Sequence, residues 1–211
     1  MYRISSTCQM ANIGDLYAKH FGYKNNGVFV EVGAHDGYSW SNTWGLAMAG
    51  WRGLMFEPIS TLFHACVNVH KANNVKVINA CVGDRCGTTT LWLGANPTID
   101  HETMEKSPWG DKYDPQHSIN APVVTLDYQL AAEEWPEEFD LLCIDVEGAE
   151  LQVLRGVNLL RWKPKLLIVE THEGNVDSRK SLHSDAISAH IARLPYTKIQ
   201  TDGLNTVWLR N

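Results

Sequence analysis

Five short, largely apolar runs, four of them followed directly by a polar or acidic residue, constrain the fold of this 211-residue chain more than any other feature. The runs occupy residues 28–32, 53–56, 75–78, 139–144 and 165–169. A strand that is buried on both faces is typically a nearly continuous apolar run, and such strands form parallel sheets. Because helix-compatible segments alternate with the runs, the sequence predicts βαβ units with right-handed crossovers.

The remaining segments are consistent with one domain that ends in a hairpin. Helices are predicted at residues 13–21, 43–49, 60–72, 126–134 and 149–160. Strands at residues 196–200 and 206–209, on either side of Asp202-Gly203, predict an antiparallel hairpin. A chain of this length leaves little room for a second core, so we expect a single α/β domain over residues 1–211 with a mostly parallel sheet.

One segment interrupts the alternation of strands and helices. Residues 88–93 and 123–125 have the composition of strands, and residues 94–121 between them are polar and rich in Pro, His and Asp. A structureless connector of this length is uncommon in a compact domain unless it serves a function. We therefore expect residues 94–121 to form a substrate lid or insertion.

Charge and cysteine usage exclude several classes of protein. The formal net charge is −6, so the chain has no global attraction for the phosphates of nucleic acids. The five cysteines are odd in number and scattered, which predicts reduced thiols rather than a disulfide framework. No apolar run approaches the ~20 residues that cross a bilayer, and the N-terminus lacks the apolar core of a secretory signal. These features predict a cytoplasmic protein without a membrane span.

The most informative motif is the glycine-containing turn after the first run. Glu31-Val-Gly33-Ala34-His-Asp-Gly37 follows the predicted strand and precedes a helix. Glycine lets the backbone turn tightly and approach a ligand closely. The spacing Gly-x-x-x-Gly differs from the Gly-x-Gly-x-x-Gly of pyrophosphate binders, and an acid at its mouth suits a ligand with cationic groups. The alternative is a plain tight turn between a strand and a helix.

Two further strand ends carry acids. Glu57, followed by Pro58, comes directly after the second run, where a carboxylate can accept both hydroxyls of a ribose, as in dinucleotide folds. Asp84 lies in Ala80-Cys-Val82-Gly-Asp84 after the third run, beside the expected position of an adenine. The alternatives are a solvated strand-end carboxylate and a simple Gly-Asp turn.

Acids and a histidine follow the last two runs. Asp145, Glu147 and Glu150 stand within six residues at the end of a buried strand, where like charges raise one another's pKa. The fifth run ends in Glu170-Thr-His172, and either His172 or Glu170 is a candidate general base. Acids near a helix N-terminus also stabilise the helix, which accounts for Glu150 better than for Asp145.

Taken together, four motifs resemble the FkbM-like methyltransferases. They are Phe29-Val-Glu-Val-Gly-Ala-His-Asp-Gly37, Ser41-Asn42-Thr43, Gly50-Trp-Arg-Gly-Leu-Met-Phe-Glu-Pro58 and Ile144-Asp-Val-Glu-Gly-Ala-Glu150. The resemblance covers residues 29–170 and implies a Rossmann-like class I methyltransferase with a seven-stranded sheet, S-adenosylmethionine as the donor and usually an oxygen acceptor. Two stretches depart from it, His35-Asp36 in the turn and residues 46–49, where relatives often carry an acid.

The resemblance also implies roles for individual residues. The donor-binding set would be Glu31, Gly33, Ala34, Gly37, Asn42, Glu57, Pro58, Val82, Asp84 and Asp145. The catalytic residues would be Asp145 or His172 as the base for a hydroxyl, with Glu147 orienting. No metal ligands are assigned, and a divalent cation held by the acid cluster is an open alternative route. The expected activity is O-methylation of a saccharide-like or small-molecule hydroxyl.

Three other classes of protein compete with this hypothesis. A nicotinamide-dependent oxidoreductase requires a Gly-x-Gly-x-x-Gly motif, which the chain lacks, and its sheet does not normally end in a hairpin. A non-catalytic nucleoside-binding module is favoured only by the missing acid in residues 46–49. A zinc protein is disfavoured, because the nine histidines and five cysteines form no His-Glu-x-x-His or paired Cys-x-x-Cys motif.

Overall fold

Ten strands and six helices lie along the residues that the computed structural model describes, which are 2–93, 118–173 and 178–211. The strands are β1 (Val28–Val32), β2 (Arg52–Phe56), β3 (Val75–Ile78), β4 (Cys81–Val82), β5 (Gly87–Trp92), β6 (Ser118–Val124), β7 (Glu138–Ile144), β8 (Lys163–Glu170), β9 (Tyr196–Thr201) and β10 (Asn205–Arg210). The helices are α1 (Ile13–Phe21), α2 (Trp44–Met48), α3 (Ser60–Val69), α4 (Leu126–Ala132), α5 (Glu150–Arg155) and α6 (Ser178–Ile191).

The main sheet contains seven of these strands in the order β3-β2-β1-β7-β8-β10-β9. Its first five strands pair in parallel. Strand β10 then runs antiparallel to both β8 and β9, and Gly203 makes the turn of this C-terminal hairpin with a φ of 89°. The predicted seven-stranded, mostly parallel sheet with a C-terminal antiparallel hairpin is therefore confirmed.

The register of the parallel strands brings their carboxyl ends level. Val32 at the end of β1 lies opposite Phe56 of β2 and Ile144 of β7. Ile144 in turn lies opposite Val169 of β8. Ligands of open α/β sheets bind at this carboxyl edge. The residues that follow these four positions therefore form one row, and this row contains the acids that the sequence analysis singled out.

Helices cover both faces of the sheet. Alternate residues of a strand point to opposite faces. On one face Val30 and Leu142 pack in a core with residues of α4, α5 and α6, and on the other Phe29 and Leu141 pack with residues of α1 and α2. Glu31 has the parity of Phe29, so its carboxyl group lies on the side of α1 and α2.

A second, three-stranded sheet of order β4-β6-β5 stands beside the carboxyl edge. Strand β4 is absent from the sequence prediction because it is only two residues long. Strand β6 begins at Ser118, so the expected loop over residues 94–121 is wrong at its end. Its residues 118–121 pair antiparallel with β5, where Ala121 lies opposite Thr89. The rest of the expected lid, residues 94–117, lies outside the described residues.

Two helices differ from the sequence prediction. Helix α5 ends at Arg155 rather than at residue 160, and the next residue, Gly156, lies so close to the carbonyl oxygen of Gly83 that it has no room for a Cβ. Helix α6 was missed because its sequence has no clear apolar stripe, although Ile187 and Ile191 are fully buried.

Two further expectations concern membrane helices and cysteines. Among the described residues, no helix is long and apolar enough to span a membrane. The five cysteines are free thiols, as predicted.

Candidate functional site

The carboxyl edge of the main sheet opens into a cavity of about 690 Å³. Its walls come from the residues after β1, β2 and β7, from the segment before α1 and from the small sheet. The predicted site residues that line it are Glu31, Gly33, Ala34, Asn42, Glu57, Pro58, Val82, Asp145 and Glu147. Residues that are up to 116 positions apart in the sequence are thus brought together by the aligned strand ends.

The turn after β1 packs directly against the end of β7. Gly33 has a φ of 89°, and a Cβ at this position would overlap the backbone carbonyl oxygen of Asp145. The N–H groups of Gly33 and Ala34 both donate to the carbonyl oxygen of Phe56, at 3.0 and 2.9 Å. Only glycine allows this conformation and this approach together.

Glu31 is an acid buried at the base of the cavity, with 4% of its surface exposed. Thr43 Oγ1 donates to its carboxyl group at 2.8 Å and Ser41 Oγ donates at 3.3 Å. Burial nevertheless dominates and raises the pKa of Glu31 to about 8. The Ser41-Asn42-Thr43 motif therefore supplies hydroxyl groups that hold the Glu31 carboxyl group in place.

Glu57 is held by two backbone N–H groups. His35 N donates to Oε2 at 2.9 Å and Ile59 N donates to Oε1 at 2.8 Å. Burial raises the pKa of Glu57 to about 7 in spite of these bonds. A carboxylate offers about four lone-pair sites, so two donors leave acceptor capacity for ligand hydroxyls.

Three carboxyl groups converge beside the cavity. One oxygen from each of Asp145, Glu150 and Glu170 lies within 4.8 Å of the others. Burial, followed by the charge of Glu150, raises the pKa of Asp145 to about 6. Burial and the charge of Asp145 hold the pKa of Glu170 far above its usual range, and a side-chain hydrogen bond joins these two groups. At neutral pH, Glu170 therefore stays protonated, and its O–H donates a hydrogen bond to the Asp145 carboxylate.

Glu150 differs from the other two acids because hydrogen-bond donors of the protein stabilise its ionised form. Its Oε1 accepts from the N–H groups of Val146 at 3.0 Å and Gly148 at 3.1 Å, and its Oε2 lies 2.7 Å from His183 Nε2. Burial alone would raise the pKa of Glu150, but His183 and the backbone amides outweigh it and lower the pKa. The three acids could hold a divalent cation, yet these internal hydrogen bonds explain their convergence without one.

Three predicted site residues do not line the cavity. The side chain of Asp84 is 41% exposed and lies beside Arg85. Gly37 shapes the turn, since a Cβ there would meet Cys66 Sγ and the His70 ring at 2.9 Å. His172 Nε2 lies 3.5 Å from Glu170 Oε1, and neither of these two residues lines the cavity.

The sequence analysis missed several residues that form the cavity walls. Cys81 and Leu91 of the small sheet, together with Leu93, add apolar surface next to Val82. Gln9 enters from the N-terminal segment, and no motif in the sequence marks it. Trp40 stands at the rim with 61% of its surface exposed and a φ of 62°. A position after the glycine turn is a weak signal for Trp40, whereas only the fold reveals Gln9 and Leu91.

The electrostatics of the cavity favour a cationic ligand. Within the described residues, no Lys or Arg forms an ion pair with Glu31, Glu57 or Asp145. Burial without a basic partner raises the pKa of a carboxyl group, and a positive ligand would favour its charged form. The cavity is thus suited to a ligand that brings positive charge and hydroxyl donors.

Comparison with known proteins identifies what the chain is similar to. The sequence model of the methyltransferase FkbM domain matches residues 31–192. Among solved structures, an O-methyltransferase from Bacillus cereus in complex with SAH shares 15% identity over 99% of this chain and 84% of that chain, with a TM-score of 0.54. The O-methyltransferase TomG from Streptomyces achromogenes, involved in tomaymycin synthesis and solved with SAM, shares 12% identity over 97% of this chain and 82% of that chain, with a TM-score of 0.53.

These similarities establish the fold. The likeness to the two solved structures confirms a Rossmann-like class I methyltransferase architecture. A search of curated proteins found no match to the sequence.

Proposed function

Because the chain belongs to the FkbM methyltransferase family, we propose that it transfers the methyl group of S-adenosylmethionine to a hydroxyl of a saccharide-like or small-molecule acceptor. The observation that carries the proposal is the convergence of Glu31, Glu57 and Asp145 on one cavity, where no Lys or Arg of the described residues pairs with them. S-adenosylmethionine carries a sulfonium and an ammonium, and both are cations that such a cavity attracts.

The size and the walls of the cavity fit this donor. Its volume of about 690 Å³ lies within the range of pockets that enclose small molecules and cofactors. Glu57 keeps acceptor capacity for the two ribose hydroxyls, and Pro58 follows it in the wall. Val82, Cys81 and Leu91 form an apolar surface for the adenine, so this role does not require the exposed Asp84.

Glu31 and the glycine turn would hold the amino acid end of the donor. Glu31 lies at the base of the cavity beside Gly33, Ala34 and Asn42. An ammonium at this position would favour the ionised form of Glu31, whose carboxyl group Ser41 and Thr43 keep in place.

The catalytic task of the protein is to align two reactants and remove one proton. When bound, S-adenosylmethionine supplies a methyl group on a sulfonium that is an excellent leaving group. Asp145 is the proposed base, because a carboxyl group with a pKa of about 6 is mostly ionised at neutral pH. Glu147 lines the same cavity and would orient the acceptor. His172 contacts Glu170 and does not line the cavity, so it is the less direct candidate for the base.

The exposed indole of Trp40 supports an acceptor that contains a ring. A bulky residue at positive φ is uncommon, and the N–H of Trp40 donates to Thr7 Oγ1 at 3.2 Å. The exposed indole at the rim offers a face on which a sugar or another ring can stack, beside the hydroxyl groups of Ser39 and Ser41.

The competing functions fit the cavity less well. A nicotinamide cofactor would place an anionic pyrophosphate among Glu31, Glu57 and Asp145, which costs repulsion between like charges. A non-catalytic module was favoured by the missing acid in residues 46–49, but Leu46 and Ala47 are buried in α2 and do not line the cavity.

Two measurements test the proposal. Isothermal calorimetry should detect micromolar binding of S-adenosylmethionine and S-adenosylhomocysteine and no binding of NAD. A screen with donor labelled in its methyl group, over sugars, glycolipids and polyketides, should then transfer label to a hydroxyl. Binding of NAD in place of the two sulfur compounds would overturn the assignment, and transfer of label to nitrogen alone would overturn the O-methylation part.

A further inference from the structure

The N-terminal segment, which we define as residues 2–12, forms part of the cavity wall although it precedes the matched residues 31–192. Tyr2 and Met10 are buried in the core on the α1 side. A Cβ at Gly45 of α2 would overlap the carbonyl oxygen of Arg3, so this helix has a glycine where the segment crosses it. The course of the segment is therefore fixed by packing at both of its ends.

Gln9 is the residue through which this segment reaches the cavity. Its Nε2 donates to Asp145 Oδ2 at 2.6 Å. Its Oε1 accepts from Asn42 Nδ2 at 3.0 Å and lies 3.5 Å from Asn205 Nδ2. Asn42 also accepts from the backbone N–H of Met10 at 3.3 Å, which ties the segment to the loop before α2. One side-chain amide thus links the end of β7, the start of β10 and the loop before α2.

We propose that Gln9 is a positioning residue, whose side-chain amide holds the carboxylate of Asp145 toward the methyl acceptor. This inference rests on the proposed function, in which Asp145 is the base. Among the described residues no Lys or Arg pairs with Asp145, and two neutral donors hold its carboxylate, the Gln9 N–H on Oδ2 and the protonated Glu170 carboxyl group. Of these two donors, Gln9 is the one that lines the cavity. A base that is misdirected by a small distance loses much of its effect, because proton transfer requires hydrogen-bond contact.

The same hydrogen bond favours the ionised form of Asp145. Donation from Gln9 lowers the pKa of Asp145, against the opposing effect of burial. Several other titratable groups face Asp145 from the surrounding elements, and none of them is altered by a substitution at position 9. They are Glu31, His35, Cys143, Glu147, Glu150 and Glu170.

A purely structural role for Gln9 predicts a different outcome from a positioning role. If the amide only anchored the segment, its loss would lower stability and leave the pKa of Asp145 unchanged. Gln200 is the matched control, because its Nε2 donates to Asn12 Oδ1 at 3.1 Å and so anchors the same segment away from Asp145. The variant Gln9→Glu keeps the shape of the side chain and removes the N–H donor.

The experiment is a ¹³C NMR titration of protein labelled at aspartate carboxyl carbons, with the Asp145 signal assigned by its loss in Asp145→Asn. We expect the Asp145 pKa to rise by about one unit in Gln9→Ala, to rise further in Gln9→Glu, and to stay within about 0.2 units in Gln200→Ala. In methyl transfer, Gln9→Ala should lower kcat by roughly tenfold with little change in the KM for the donor. An unchanged Asp145 pKa in folded Gln9→Ala would overturn the positioning role.

Failure of this inference is separable from failure of the proposed function. Calorimetry with S-adenosylhomocysteine on the unaltered protein tests the function alone. If that ligand binds and the Asp145 pKa does not respond to position 9, only the role of Gln9 is wrong. If the pKa responds and the ligand does not bind, the amide positions Asp145 for a different reaction, and the methyl-transfer role is overturned.

Discussion

Acids at the two edges of the main sheet differ in whether a basic side chain pairs with them. At the amino edge, acids pair with basic side chains near the surface: Glu138 contacts Lys163 at 3.4 Å and Arg210 at 3.1 Å, and Glu133 contacts Lys76 at 2.7 Å. At the carboxyl edge, Glu31 and Glu57 are buried and Asp145 is half-buried, and none of the three pairs with a Lys or Arg of the described residues.

The two groups of acids thus differ in their pairing: those at the amino edge form ion pairs near the surface, and those at the carboxyl edge line the cavity without one. A surface pair contributes little and is screened by salt. Ionising a buried acid that has no basic partner costs free energy, and a bound cation offsets this cost. The comparison between the edges is therefore informative about function even before any ligand is identified.

The largest expected effect is on turnover. Asp145→Asn should lower kcat for methyl transfer by about 100-fold or more, because the general base is lost while the shape of the side chain is kept. Asp140→Asn, on the same strand at the amino edge, should keep kcat within about twofold. Initial-rate assays with labelled donor measure both, and full turnover in Asp145→Asn would show that the base lies elsewhere.

A smaller effect is expected on binding. Glu57→Gln should raise the Kd for S-adenosylhomocysteine by roughly 10- to 100-fold, because hydrogen bonds from two ribose hydroxyls to a carboxylate are stronger than those to an amide. Glu138→Gln, which alters an acid of the amino edge, should leave this Kd unchanged. Calorimetry compares the two, and equal affinities would remove Glu57 from the ribose site.

The pH dependence of binding should be several-fold. At pH 6 Glu31 and Glu57 are largely protonated, because their pKa values are about 8 and about 7. As the pH rises to 8.5 both ionise, so the affinity for S-adenosylmethionine, whose ammonium is proposed to lie beside Glu31, should increase. S-adenosylhomocysteine carries the same ammonium and ribose, so its affinity should rise to a similar extent. An affinity for either ligand that stays flat or falls between pH 6 and 8.5 would contradict an ammonium beside Glu31.

The smallest expected effect is on thermal stability. The pKa of Glu31 is raised to about 8 in the folded protein, so the folded state binds more protons than the unfolded state above about pH 4.5. This contribution to stability is complete at low pH and is lost as the pH rises through 8. Between pH 5.5 and 8.5 the Tm of the native protein should therefore fall by a few degrees more than the Tm of Glu31→Gln. For Glu138→Gln the fall should match that of the native protein.

The sequence was sufficient for the sheet and for the acids at its carboxyl edge. Continuous apolar runs predict parallel strands, and parallel strands place Gly33, Glu57 and Asp145 at one edge whatever the length of the connections. Element ends were less accurate: helix α5 ends at Arg155, five residues before the predicted end, where the chain packs against the Gly83 backbone of a distant segment.

The parts of the site that come from distant segments were not predictable. Gln9 meets Asp145 across 136 residues, and no spacing in the sequence connects them. Leu91 reaches the cavity through a second sheet that includes a two-residue strand. Asp84, in contrast, stands in a suggestive motif, yet its turn directs it toward solvent beside Arg85.

The contact between Gly33 and the backbone of Asp145 has a mechanical consequence. No room exists there for even one methyl group, so neither loop can move toward the other without displacing it. Any side chain at position 33 would push the proposed donor-binding turn and the proposed base apart, so the spacing between them depends on this one glycine.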